Sequence, residues 1–126
     1  MSAPTDSEPP GVFTRKWAVV MIVCGLSVFF LLATLGDPGR GRAAAFSLAA
    51  LMSAARANWS LRKQMWFWSV VGVMVVLHAL LVVMVPWSDR SYPGYALLPV
   101  FVLDFGLAYY TFKLVDRALK RPKSDR

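Results

Sequence analysis

The chain has 126 residues, of which 57% are apolar and 17% charged, and its formal net charge is +7. Soluble domains average about 45–50% apolar and about 25% charged residues, so this composition excludes a disordered chain and an ordinary soluble enzyme. The single cysteine, Cys24, excludes a disulfide-stabilised secreted module. At this length the chain is expected to form one domain.

Three apolar segments predict transmembrane helices. Residues 17–36 include 20 positions without a charge, enough to span about 30 Å of hydrocarbon as a helix. Residues 65–87 and 94–114 form the other two segments, and Pro99 is expected to kink the last one. Only helices and closed barrels satisfy the backbone in lipid, and three long segments cannot form a barrel. A cleaved signal peptide is the alternative for the first segment, but its apolar stretch is longer than such peptides use.

A fourth block, residues 43–61, is rich in Ala and Ser and contains Arg56. It could cross the membrane or lie on its surface. Small side chains recur at every fourth position, and such a ridge lets helices approach closely inside a bundle. This spacing favours a spanning helix whose packing face consists of Ala45, Ala49, Ser53 and Ala57.

The distribution of basic residues favours four spans over three. Basic residues near membrane ends concentrate on the cytoplasmic side. With four spans and a cytoplasmic N-terminus, that side holds Arg15, Lys16, Arg62, Lys63, Lys113, Arg117, Lys120, Arg121, Lys123 and Arg126. The opposite side holds Arg40, Arg42 and Arg90. We therefore predict an all-α, four-helix bundle in a bacterial inner membrane, with both termini in the cytoplasm.

This organisation divides the chain into three parts. Residues 1–14 are expected to form a disordered cytoplasmic tail, residues 15–116 the transmembrane domain and residues 117–126 a basic cytoplasmic tail. Basic side chains beside a span are attracted to anionic lipid headgroups at about 1 kcal/mol each. The basic anchor expected to make this contact consists of Arg62, Lys63, Lys113, Arg117, Lys120 and Arg121.

Three ionisable residues, Arg56, His78 and Asp104, fall inside the predicted spans. A charge at the centre of a membrane helix costs about 2.5–3.5 kcal/mol, so each is a candidate functional residue. Counted from the cytoplasmic ends, His78 lies about 18 Å deep and Asp104 about 14 Å deep. A contact between them is therefore expected. Arg56 is expected to pair with Asp104 or to extend towards the interface. A purely structural role for the pair is the alternative interpretation.

The sequence predicts neither an enzyme nor a cofactor. One His and one Cys cannot build a His/Cys zinc site within one chain. The sequence has no HExxH, P-loop or GxSxG motif. The basic C-terminal segment lacks the interleaved aromatic residues that nucleic-acid binding would use, so no nucleic-acid partner is expected.

Two functions remain open at this point. The first is an accessory or interaction subunit that packs, through its Ala/Ser face, against another membrane protein or a second copy. The second is an oligomeric proton- or cation-coupled transporter or channel component that uses the Asp104–His78 pair. The size and four-span plan are similar to small bacterial inner-membrane proteins, including the accessory protein encoded with ATP synthases. The similarity concerns architecture alone, because that family's acidic residue in the third span has no counterpart here.

Overall fold

The computed structural model describes residues 13–88 and 93–120, and the described chain consists of helices joined by short turns. The prediction of an all-helical protein with four main helices is confirmed. The main helices are α1 (Arg15–Thr34), α2 (Pro38–Ala57), α3 (Met65–Met84) and α4 (Leu97–Lys120). Two 3₁₀ helices, Trp59–Leu61 and Gly94–Ala96, precede α3 and α4 respectively.

A tight turn joins α1 to α2, and its residues explain why one helix stops and the next begins. Gly36 has a φ of 90° and its N–H donates to the carbonyl of Ala33, which ends α1 in the manner of a glycine C-cap. Asp37 then caps α2 by accepting a 3.0 Å hydrogen bond from the N–H of Arg40. Pro38 occupies the first position of α2, where a helix needs no N–H donor.

The position of α2 differs from the prediction of 43–61, because α2 begins five residues earlier and ends four residues earlier. Gly39 and Gly41 lie inside this helix and allow neighbouring backbone to approach closely. A Cβ at Gly39 would lie 2.6 Å from the backbone N of Ser88, and one at Gly41 would lie 2.9 Å from the carbonyl of Phe29. Glycine stands at both positions because neighbouring backbone leaves no room for a side chain, and the helix continues through them.

Three of the helical segments are long and apolar enough to cross a membrane, namely α1, α3 and the segment Gly94–Lys120. The fourth helix, α2, is less apolar because it contains Arg40, Arg42 and Arg56. It nevertheless occupies the centre of the fold, where it packs against each of the other three helices. The more polar helix is thus surrounded by the three apolar ones.

The tightest core lies where α2 ends, α3 begins and α4 nears its end. Ala54, Phe67, Ala108 and Phe112 are each almost fully buried in it. The rings of Phe67 and Phe112 stack with their centroids 5.1 Å apart. Ala54 and Ala108 supply the space for these rings, because a small side chain opposite a large one lets helices interdigitate.

The bounds of the last two helices also differ from the prediction. α3 ends at Met84 instead of residue 87, and α4 starts at Leu97 and continues to Lys120 instead of ending at 114. Pro99 therefore lies in the first turn of α4, where its missing N–H breaks no helical hydrogen bond, and the predicted kink is not needed. The predicted tails within residues 1–12 and 121–126, with Arg121, lie outside the described residues.

Candidate functional site

The predicted contact between α3 and α4 is present, and it joins His78 to Asp104. The Nε2 atom of His78 lies 2.7 Å from Oδ1 of Asp104. The side chains are 13% and 22% exposed, respectively. His78 follows the stacked Phe67 by three turns of α3, so the pair is a second connection between α3 and α4 along their length.

The other ring nitrogen of His78 decides how protons are arranged in this pair. Nδ1 lies 2.6 Å from the carbonyl oxygen of Met74, one turn earlier in α3. A carbonyl oxygen only accepts hydrogen bonds, so Nδ1 carries a proton and donates it. The 2.7 Å contact to Asp104 then requires a further proton between Nε2 and Oδ1. With that proton on either atom, the pair has no net charge, which suits a site surrounded by apolar side chains.

Two apolar cavities flank the pair. A cavity of about 220 Å³ borders both His78 and Asp104, and it is floored by the Ala43–Ser47 turn of α2. A second cavity, of about 290 Å³, lies on the side towards α1 and also borders His78. Ser47 and His78 line both cavities, so the two cavities adjoin at these residues.

Arg56, the third predicted member of this cluster, lies at another level of the fold. Its guanidinium carbon stands 5.6 Å from the centre of the Trp17 ring, near the start of α1. Ser47 is at the level of the His78–Asp104 pair, and Arg56 is nine residues further along α2, which places it about 14 Å away along the axis. The structure therefore brings together two of the three predicted residues and assigns Arg56 to a cation–π contact.

The small-residue face of α2 packs within the chain, against α1. Ser53 is buried, and its hydroxyl lies 3.3 Å from the sulfur of Met21. Ala45 lies 3.9 Å from where a Cβ would stand on Gly25. The remaining members of this face, Ala49 and Ala57, are half-buried. The hypothesis that this face receives an external partner is corrected accordingly, because α1 already covers it.

The basic anchor residues collect at one end of the fold, together with the start of α1 and of α3. The guanidinium of Arg62 stands 5.3 Å from the centre of the Trp59 ring, and the ammonium of Lys113 stands 5.7 Å from that of Tyr109. Lys120 forms a 2.8 Å ion pair with Asp116, and Lys63 and Arg117 are exposed. The aromatic rings and exposed cations at this end are typical of a membrane interface.

Sequence reasoning missed a second small-residue face on α2. Ala43, Ala50 and Ala54 are almost completely buried, and Asn58 continues the same face with only 1% of its surface exposed. The amide of Asn58 donates a 2.9 Å hydrogen bond to the carbonyl of Ala54. The spacing of seven, four and four residues places all four on one side of a helix and could have identified the face. It packs against α3 and α4.

Within the described ranges 13–88 and 93–120, no three His, Cys, Asp or Glu side chains form a group that could hold a metal ion. Comparisons of the chain with protein-family models, with known proteins and with solved structures find no match.

Proposed function

We propose that this chain is a four-span protein of a bacterial inner membrane with both termini in the cytoplasm. The three apolar helices pack around α2, which is the least apolar of the four. The end of α2 meets the start of α1 through Arg56 and Trp17, and the start of α3 meets the end of α4 through Phe67 and Phe112. In this arrangement most basic residues lie at one end of the fold, and such an excess is typical of the cytoplasmic side of a membrane protein. Within the described residues, that end holds Arg15, Lys16, Arg56, Arg62, Lys63, Lys113, Arg117 and Lys120.

Cysteine labelling of intact cells tests this orientation. In a Cys24→Ser background, Leu35→Cys places a thiol at a position that is 73% exposed in the first turn, and Lys63→Cys places one in the turn before α3. A membrane-impermeant maleimide is expected to label position 35 in intact cells and position 63 only after permeabilisation. Labelling of both positions in intact cells, or the reverse pattern, would contradict the four-span arrangement.

The function that the geometry supports best is that of an accessory subunit packing against another membrane protein or a second copy. The surface that we propose for this contact is the outer face of α3, which lies opposite the buried Phe67 and Val82. Apart from Met65 in the first turn, the members of this face are exposed, uncharged and small or β-branched: Ser69, Gly72, Val76, Ala79 and Val83. Helix association in membranes relies on such residues because they allow backbones to approach closely.

Gly72 is the observation on which this proposal rests. A Cβ at Gly72 would meet no atom within 4 Å, so packing inside the chain gives no reason for a glycine there. Glycine in a helix interior costs about 0.5–1 kcal/mol relative to alanine. An external helix that packs closely against α3 provides a reason for glycine at this position, because it would occupy the space above the Gly72 backbone.

Affinity purification in mild detergent, combined with cross-linking in cells, tests the proposal. Gly72→Leu adds bulk to the outer face of α3 and is expected to reduce the co-purified partner, or the cross-linked dimer, at least tenfold. Leu77→Phe adds bulk at a position that is 54% exposed on another side of α3 and is the matched control. Loss of association with Leu77→Phe as well, or its retention with Gly72→Leu, would contradict an interface at this face.

A proton-coupled transport component is a second candidate, and the proton required between His78 and Asp104 supports it. One chain of this size encloses no continuous path, so this function would require an oligomer. Asp104→Asn removes the titratable carboxylate, yet its amide can still donate a hydrogen bond to Nε2 of a neutral imidazole. We expect this variant to fold and to lose proton flux in proteoliposomes that carry a pH gradient. Flux equal to that of the original sequence would contradict the candidate.

A further inference from the structure

A crevice extends from the His78–Asp104 pair to the end of the fold opposite the basic anchor. Its inner part lies between α3 and α4 and its outer part between Trp87 and the start of α4, and the first half of α2 forms its floor. The cavity of about 220 Å³ beside the pair adjoins one of about 250 Å³, since Trp87, Leu97 and Val100 line both. The crevice is therefore an elongated apolar channel that is polar at its inner end.

Arg42 lies at the outer end of the crevice. It is exposed, and its Nη1 lies 3.2 Å from where a Cβ would stand on Gly94, close to the start of α4. Its neighbour Arg40 has its Nε 3.3 Å from Asp37 and donates a hydrogen bond to the carbonyl of Val83. The charge of Arg40 is therefore directed to Asp37, whereas the guanidinium of Arg42 lines the mouth of the crevice.

We infer that this crevice holds one acyl chain of an anionic phospholipid, whose phosphate binds Arg42. The inference rests on the membrane location proposed above, because α3 and α4 then open the crevice towards lipid. An apolar channel with a cation at its mouth matches the two parts of this ligand: the acyl chain contacts Leu97 and Val100, and the guanidinium forms charge-assisted hydrogen bonds to the phosphate.

The dimensions of the crevice favour an acyl chain over a helix of a second protein. One turn of helix is about 10 Å wide and 5.4 Å high, which corresponds to roughly 400 Å³. Together the two cavities, of about 220 and 250 Å³, hold little more than one such turn, which is too little for a helix that packs over several turns. The contact between His78 and Asp104 also holds α3 and α4 together at the inner end, so a helix could enter only by breaking it.

Native mass spectrometry of the full chain tests the inference. The chain is extracted from nanodiscs that contain equal amounts of phosphatidylglycerol and phosphatidylcholine. We expect one phosphatidylglycerol to remain bound per chain. Val100→Trp, which fills the crevice, is expected to remove it. Val102→Trp, at a position that is 61% exposed on another side of α4, is the matched control and should retain it.

Charge variants separate headgroup binding from binding of the acyl chain alone. Arg42→Gln is expected to reduce the preference for phosphatidylglycerol over phosphatidylcholine at least fivefold. Arg40→Gln at the same end, where the cation faces Asp37 instead of the crevice, should leave the preference unchanged. Equal retention of both lipids by the original chain, or retention of lipid by Val100→Trp, would overturn the inference. A lipid-free dimer that Val100→Trp disrupts would identify a second copy as the occupant. Cysteine labelling at positions 35 and 63 tests the membrane orientation independently of these outcomes.

Discussion

The imidazole of His78 and the carboxylate of Asp104 share a proton, because Nδ1 of His78 already donates to the Met74 carbonyl at 2.6 Å. The 2.7 Å contact between Nε2 and Oδ1 would otherwise set a lone pair against a carboxylate. The pair is therefore neutral overall and can lie at depth in an apolar bundle. The same geometry allows a structural role and a proton-binding role, and substitutions at Asp104 separate the two.

Asp104→Asn is expected to preserve the connection between α3 and α4, whereas Asp104→Ala should weaken it. The amide of Asn can donate to Nε2, but Ala leaves the ring nitrogen without a partner. Interhelical hydrogen bonds in membrane proteins contribute about 0.6 kcal/mol on average, so a loss of about 1 kcal/mol is expected for Ala. Thermal unfolding in detergent measures this. Equal losses of stability for Asp104→Asn and Asp104→Ala would contradict a stabilising hydrogen bond between the side chain at position 104 and His78.

Gly39→Ala and Gly72→Ala are expected to have opposite effects on the stability of the isolated chain. A Cβ at Gly39 would lie 2.6 Å from backbone atoms of Ser88, which cannot move without shifting the segment after α3. Overpacking of this kind costs about 1–3 kcal/mol. A Cβ at Gly72 meets open space, so Ala should stabilise α3 by about 0.5–1 kcal/mol. Denaturation in detergent compares both variants with the original chain, and a stable Gly39→Ala would contradict the close approach.

Ala54→Leu is expected to disrupt the core at the basic end of the fold. Ala54 has no exposed surface and packs with Phe67, Ala108 and Phe112, so three further carbon atoms have no space. The expected cost is about 1–3 kcal/mol. Ala118→Leu, at an exposed position of α4, makes the same change without this consequence. Similar melting temperatures for the two variants would contradict the tight packing of this core.

Asp37 is expected to give the fold a dependence on acidic pH. The Ser88 hydroxyl, followed by the N–H and the charge of Arg40, lowers the pKa of Asp37 below its ordinary value of 3.8, although desolvation acts against this. A lowered pKa in the folded state stabilises the fold above the unfolded pKa, and this contribution is lost as the pH falls through the folded value.

Asp37→Asn provides the measurement, because Asn retains a capping oxygen but does not titrate. The difference in melting temperature between the original chain and this variant should be constant above about pH 5 and should shrink below 3.8. A difference that grows on acidification would contradict the assigned interactions.

Much of the candidate site could be predicted from the sequence because helical geometry is regular. Depth counted along two helices at 1.5 Å per residue brought His78 and Asp104 to similar levels. The same counting could not assign Arg56, because its side chain is long and its partner depends on which helix lies beside the end of α2. The predicted start of the second block at residue 43, after Arg42, was too late, because α2 begins at Pro38 and includes both Arg40 and Arg42.

The sequence by itself determined that the protein is helical, that three segments are apolar enough to span a membrane, and that basic residues collect at one end. These properties follow from local composition and from the constant rise of a helix. Only the tertiary structure decided that α2 lies at the centre, that α1 covers its Ala45–Ser53 side, and that a crevice opens beyond the His78–Asp104 pair. The shapes of side chains on different helices determine these contacts, and no local pattern records which helices meet.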